Sequence, residues 1–202
     1  MRWASSHFNP LSILRILFST AAHHRCLRGG YTLFSVEVAL NSGLTHEDLE
    51  RILREAGVDY RLLEFEGHTM TVEAAERQLG VDRGRIIKSM LYVDDQGRPL
   101  LAIVTGDRLV DEVKLAEVCG VERVRRARPK AVRSLTGYEV GALPPLGHRR
   151  PIRTIIDSRV MRLEKVYGGG GAINRLLEIS PSDIKRLTGA EVADISRPME
   201  GG

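Results

Sequence analysis

The stretch Ile86-Ile87-Lys88-Ser89-Met90-Leu91-Tyr92-Val93 runs into the polar turn Asp94-Asp95-Gln96-Gly97-Arg98 and then into Pro99-Leu100-Leu101-Ala102-Ile103-Val104-Thr105. Two apolar runs of strand length joined by a short Gly-containing turn predict a β-hairpin, with Pro99 marking the start of the second strand. Lys88 interrupts the first run. An ammonium in an apolar strand must be desolvated, paired or used. Strand periodicity puts Lys88 on one face with Ile86, Met90 and Tyr92, and Ile87, Ser89, Leu91 and Val93 on the other. The ammonium should therefore emerge from an apolar surface, the setting for a small pocket. On periodicity alone, a lysine snorkelling out at a sheet edge is the better explanation of the position.

Outward from the hairpin, Thr45 followed by Asp48 makes a capping-box start for a helix carrying Leu49, Ile52, Leu53 and Ala56 and closed by Gly57. Val58 to Phe65 reads as a strand, and Thr71 to Leu79 as a short helix ended by Gly80. A helix from Asp111 to Val118 follows the hairpin. Strands are expected at Ile152 to Ile156 and Leu176 to Ile179, a helix opening at Ser180-Pro181-Ser182-Asp183, and a last strand at Val192 to Ile195. Short helices among hairpin-connected strands predict an α+β fold: a single mixed-sheet or partial-barrel domain with short flanking helices, without the βαβ rhythm of a doubly wound sheet.

With 202 residues the chain has room for one ordinary domain and an appendage. Residues 1–43 read as a basic N-terminal extension, either targeting-like or translated from an upstream start. Residues 44–198 form the domain and 199–202 a tail. Leu11 to Phe18 is too short and too interrupted to span a membrane. Of the 30 basic residues, four lie in 1–36, which holds no acid, so the rest of the chain balances 26 against 26 and the formal charge of +4 names no partner. Locally, Arg123, Arg125, Arg126, Arg128, Lys130 and Arg133 cluster with only Glu122 against them. That cluster is either a solvated face or a phosphate-binding patch.

Cys26 and Cys119 are too few for a disulfide framework and lack C-x-x-C spacing, which fits a reducing, cytoplasmic compartment. Cys119 falls at the end of an apolar helix face, where a structural thiol is expected. The histidines show no metal spacing, and no metal or cofactor is expected. His68 and His148 default to solvent exposure, His148 because it stands beside Arg149 and Arg150. Asp157 reads as a cap. Two glycine-rich segments stand out. Thr136 to Gly147 mixes glycines with Pro144-Pro145 to give a stiff loop with exposed amides. Tyr167-Gly168-Gly169-Gly170-Gly171-Ala172 reads as a bare loop, matching neither a Walker nor a dinucleotide fingerprint.

Taken in order, Thr71 to Gly80, Ile87-Lys88-Ser89-Met90-Leu91, Gly106 to Leu115, Thr136-Gly137 with Gly141-x-x-x-Pro145, Ile156-Asp157 and Gly168 to Gly171 resemble the YbaK/prolyl-tRNA synthetase-associated editing family across roughly residues 58 to 195. The resemblance implies the fold of that family and hydrolysis of the ester of mischarged aminoacyl-tRNA. It implies action in trans on a small amino acid (Ala, Ser or Cys) carried most naturally by tRNA-Pro, with an aminoacyl-tRNA synthetase as a possible partner.

Carried over by position, the functional lysine falls on Lys88. The substrate-positioning loop falls on Gly137, Gly141, Ala142 and Pro145, and the glycines beside the aminoacyl group and terminal ribose on Gly169 and Gly170. Arg125, Arg126 and Arg128 become candidate tRNA contacts. A fixed ammonium and aimed backbone amides suit a reaction that builds negative charge on a carbonyl oxygen. The attacking group stays open between a water and the substrate's own thiol. Against this stands a non-catalytic module of the same fold that only holds tRNA or a synthetase.

Overall fold

The computed structural model describes residues 43–67 and 69–199. The N-terminal extension expected over residues 1–43 lies outside them except for Gly43, as does His68. Helix α1 (His46–Glu55) starts at the expected capping box, Asp48 answering the Thr45 amide at 3.1 Å, and buries Leu49, Ile52 and Leu53. Strand β1 (Tyr60–Glu64) follows. Helix α2 (Val72–Leu79) is capped by Thr71, whose hydroxyl accepts from Ala74 N, and ends on left-handed Gly80. The predicted hairpin forms as β2 (Ile87–Asp94) and β3 (Pro99–Thr105), antiparallel, with Lys88 opposite Val104 and Met90 opposite Ala102. Asp94 holds the turn by accepting from the amides of Gln96 and Arg98 and from the Arg98 guanidinium.

Beyond the hairpin come β4 (Arg108–Val110), α3 (Glu112–Cys119), β5 (Val124–Arg126), α4 (Pro129–Thr136), β6 (Arg153–Asp157), β7 (Val166–Gly169), β8 (Arg175–Ile179), α5 (Pro181–Thr188), β9 (Glu191–Ala193) and β10 (Ser196–Pro198). The main sheet runs β5-β2-β3-β6-β9, antiparallel through β5, β2 and β3 and parallel from β3 through β6 to β9. A three-stranded antiparallel sheet, β1-β8-β7, and the pair β10-β4 complete the mixed α+β architecture. One parallel bridge, Ile86 to Tyr167, links the three-stranded sheet to the start of β2.

Several elements depart from expectation. Helix α4 was hidden by the arginine-rich run that leads into it. Only Val132 and Thr136 turn inward, although Pro129 in its first turn and left-handed Gly137 at its end mark both limits. Gly168 and Gly169 are strand rather than loop, because pairing with Leu177 and Leu176 of β8 supplies the order that glycine lacks. The expected last strand is two short ones, since Asp157 Oδ2 accepts from Ile195 N and breaks the run between β9 and β10.

Two apolar clusters meet one face of β2, while Ile87 and Leu91 are buried on its other face. Met90 and Tyr92 pack with Leu100, Ala102, Val104, Leu115, Ile155 and Ile195, whereas Ile86 packs with Ala75, Tyr167 and Leu176. Lys88 stands between the two clusters. That position lets a lysine occupy an apolar strand without sitting inside a core.

Candidate active site

β2 carries β3 along its whole length on one edge. On the other edge β5 pairs only with Tyr92–Asp94 and Tyr167 only with Ile86, so among the described residues the stretch between them has no hydrogen-bonded strand partner. A cleft of about 730 Å³ opens there. Its walls are Ile86 to Leu91, Thr69 to Glu73 leading into α2, Gly106, the Arg126–Pro129 turn, Val140, Gly141 and Leu143, and Gly168 and Gly169 of β7. The volume exceeds what a short side chain needs and lies in the range of small-ligand sites.

Lys88 is half-buried in this wall. Its Nζ donates to the carbonyl of Gly106 at 3.1 Å and to that of Arg108. Burial pushes its pKa down, Asp107 and Glu73 pull it back up, and Arg83 and Arg126 add to the fall. An ammonium has three hydrogens, and the two carbonyls engage two. The third is left for whatever enters the cleft.

The Gly141–Pro145 segment is built against β7. Gly141 has φ +90, a left-handed conformation that favours glycine, and Met70 packs over it, 2.8 Å from where a Cβ would lie. Leu143's carbonyl sits directly over Gly169, where any Cβ would overlap it. Gly171 N donates to Ala142 O at 3.0 Å. Behind the segment, His148 Nε2 donates to Pro144 O at 3.0 Å and Tyr138 Oη to Gly147 O at 3.3 Å. A carbonyl can only accept, which fixes the Nε2–H tautomer. His148 is therefore buried, not exposed as its arginine neighbours suggested, and burial lowers its pKa to about 4.

Of the residues picked from sequence, Lys88, Gly141, Gly169, Arg126 and Arg128 line the cleft. Ala142 and Pro145 are buried behind it, and Gly170 N is tied to Arg175 O in the β7–β8 turn. Gly137 ends α4 and accepts from Leu44 N. Arg125 is exposed on β5 and stands outside the lining. Asp157 is a structural acceptor for Arg159 N and Ile195 N, and Asn174 donates to Phe65 O, fastening the end of β1. Sequence reasoning missed Met70, Val140, Leu143 and Ser89 in the wall. Only Ser89 left a legible sign, as a polar residue next to Lys88 in an apolar run. Among the described residues no group of three His, Cys, Asp or Glu could hold a metal ion, and no helix is long and apolar enough to cross a membrane.

These features define a small α+β domain with a cleft of small-ligand size, an anchored ammonium on one wall and a clamped glycine-proline loop on another. The model of the aminoacyl-tRNA editing domain matches residues 66–187, and the chain belongs to that family. A relative in Enterococcus faecalis, provisionally named Cys-tRNA(Pro)/Cys-tRNA(Cys) deacylase EbsC, is 27% identical over 149 residues, covering 72% of this chain and 90% of its own. Proline–tRNA ligase of Geobacter metallireducens is 32% identical over 132 residues, covering 65% of this chain but 22% of the ligase. A solved structure described provisionally as a trans-editing enzyme for prolyl-tRNA synthetase superposes with TM-score 0.69 at 30% identity, covering 75% of this chain and 96% of that one. The chain called hypothetical protein APE2540 gives TM-score 0.71 at 37% identity, covering 74% and 99%.

Proposed function

We propose that this chain is a trans-acting deacylase that hydrolyses the ester between a small amino acid (Cys, Ala or Ser) and the 3′ end of a mischarged tRNA, tRNA-Pro foremost. The observation that carries the reading is the Lys88 ammonium, held on two main-chain carbonyls at the wall of a cleft whose facing loop is clamped by Gly169 and His148. The similarity to EbsC over most of both chains supports the trans form.

In this reading Lys88 acts as a positioning and electrostatic group. Ester hydrolysis moves charge onto the carbonyl oxygen, and an ammonium already fixed in place stabilises that charge without reorganising. An ester has a better leaving group than an amide, so no nucleophilic side chain is needed. A bound water or the thiol of a cysteinyl group attacks the carbonyl carbon, the tRNA ribose oxygen leaves, and the proton passes to it. Arg126 and Arg128 at the cleft wall, with exposed Arg125 nearby, suit the phosphates of the single-stranded tRNA end. Work in the cytoplasm alongside a prolyl-tRNA synthetase follows from the same reading.

The test is to incubate the protein with Cys-, Ala- and Ser-charged tRNA-Pro and follow ester lifetime. Lifetimes shortened for at least one of the three support the proposal, and lifetimes equal to those without protein for all three overturn it.

A further inference from the structure

Ser89 lines the cleft, and its main-chain groups point into it. Gly106 N donates to Ile86 O on the β3 side at 2.6 Å, and Ala127 N donates to Leu91 O on the β5 side at 2.8 Å. Main-chain groups of successive strand residues point to alternate edges. Lys88 and Met90 therefore direct theirs to β3, while Ile87, Ser89 and Leu91 direct theirs to the other edge. Ser89 N–H and C=O thus look into the cleft at the point where β2 has no second partner.

The side chain adds a second, independent anomaly. Ser89 Oγ is buried and has no hydrogen-bond partner among the described residues. A hydroxyl left unpaired away from water is destabilising, and such groups are uncommon enough in folded proteins to need a reason. Ser89 as a residue is only partly buried and lines the cleft, so a single rotamer change about its Cα–Cβ bond swings the hydroxyl to the wall.

We propose that Ser89 determines which aminoacyl group the cleft accepts: its hydroxyl bonds the heteroatom on the β-carbon of a seryl or cysteinyl group, and its edge carbonyl accepts from the substrate's α-ammonium. This inference rests on the deacylase reading and deepens it. Side chains of consecutive strand residues leave on opposite faces, yet Lys88 and Ser89 both border the cleft because it wraps the open edge of β2. A ligand seated on that edge meets the ammonium on one side and the hydroxyl on the other. The ester carbonyl goes to Lys88, and the side chain, one carbon away, goes to Ser89. A polar wall of this kind discriminates against an analogue lacking the heteroatom, because the hydroxyl is then left unpaired again. Ala is the disfavoured member of the three.

The experiment compares kcat/KM for Cys-, Ser- and Ala-charged tRNA-Pro with the wild-type chain and with Ser89→Ala, and measures thermal unfolding of both. The ratio of the polar substrates to Ala should fall at least about five-fold in the variant, the size of one lost hydrogen bond. Tm should hold or rise, since the hydroxyl has no partner among the described residues to lose. An unchanged ratio with an active wild type overturns the inference alone, as does a fall in Tm showing that the hydroxyl is satisfied within the fold. A wild type inert toward all three overturns the deacylase reading and this inference with it.

Discussion

Lys88 Nζ lies 3.1 Å from the main-chain carbonyl of Gly106, at the turn that joins β3 to β4. The same ammonium reaches Arg108 O, so one side chain ties β2 to the strand that begins after the hairpin. Gly106 is itself confined, because a Cβ there would stand 2.6 Å from Arg83 O and 2.8 Å from Val72 Cγ1. The cation is thus held by backbone that has little room to move, which is what preorganised charge stabilisation requires.

Replacing Lys88 by Met keeps the aliphatic stem and removes the charge. Two carbonyls lose a donor, but the desolvation of a half-buried ammonium is relieved, and the opposing effects should leave stability within about 1 to 2 kcal/mol of wild type. Urea unfolding of Lys88→Met measures this. A much larger loss would assign Lys88 to the fold rather than to the cleft.

Gly169 and Gly57 make a matched pair for testing the loop clamp. Gly57 has φ +62 with open space where a Cβ would go, whereas a Cβ on Gly169 overlaps the carbonyl of Leu143. Gly57→Ala should cost about 1 kcal/mol from its left-handed conformation alone. Gly169→Ala should cost about 2 kcal/mol or more, because main chain rather than a flexible side chain must shift. Denaturant midpoints of the two variants decide it, and a smaller loss at Gly169 contradicts the clamp.

Burial of His148 makes stability depend on pH. Its folded pKa is about 4 against 6.5 for the ordinary side chain, so between those values the unfolded chain binds more protons. The contribution is complete above pH 6.5 and is lost as pH falls toward 4, a difference of up to about 3 kcal/mol. Chemical unfolding at pH 7 and pH 4.5 should show a steeper acid loss for wild type than for His148→Gln, whose amide can still donate to Pro144 but does not titrate. Parallel losses in both would place the imidazole in water.

Arg126 and Arg128 should act on tRNA rather than on the fold. Neutralising both as Arg126→Gln and Arg128→Gln should weaken tRNA binding and reduce the slope of log affinity against log salt by about 1.4, or about 0.7 per single-strand phosphate contact. Filter binding across a salt series measures it. An unchanged slope returns the cluster to a solvated face.

Much of the scaffold was legible because local chemistry and tertiary outcome agree. Thr71 caps α2, Asp111 accepts from Val113 N and Lys114 N to start α3, and Gly80 and Gly120 end their helices in left-handed conformation. Legibility failed where a residue's neighbours in space overrule its neighbours in sequence. Arg149 and Arg150 disguised a buried His148, and glycine composition disguised β7, whose order comes from β8. The parallel pairing of β3 with β6 joins residues some fifty positions apart and leaves no local signal. In the cleft, Lys88 was visible because it breaks an apolar run. Met70, Val140 and Leu143 were not, because an apolar residue reads the same whether it faces a core or a cleft.

The central claim is that the anchored Lys88 ammonium promotes cleavage of the aminoacyl ester. The most direct measurement is the single-turnover rate of Cys-tRNA-Pro deacylation by wild type and by Lys88→Ala, with both proteins shown to be folded. The account predicts a loss of about 10²- to 10³-fold in the variant, the size expected when one preorganised charge-stabilising donor is removed. Equal rates in the two proteins would contradict it.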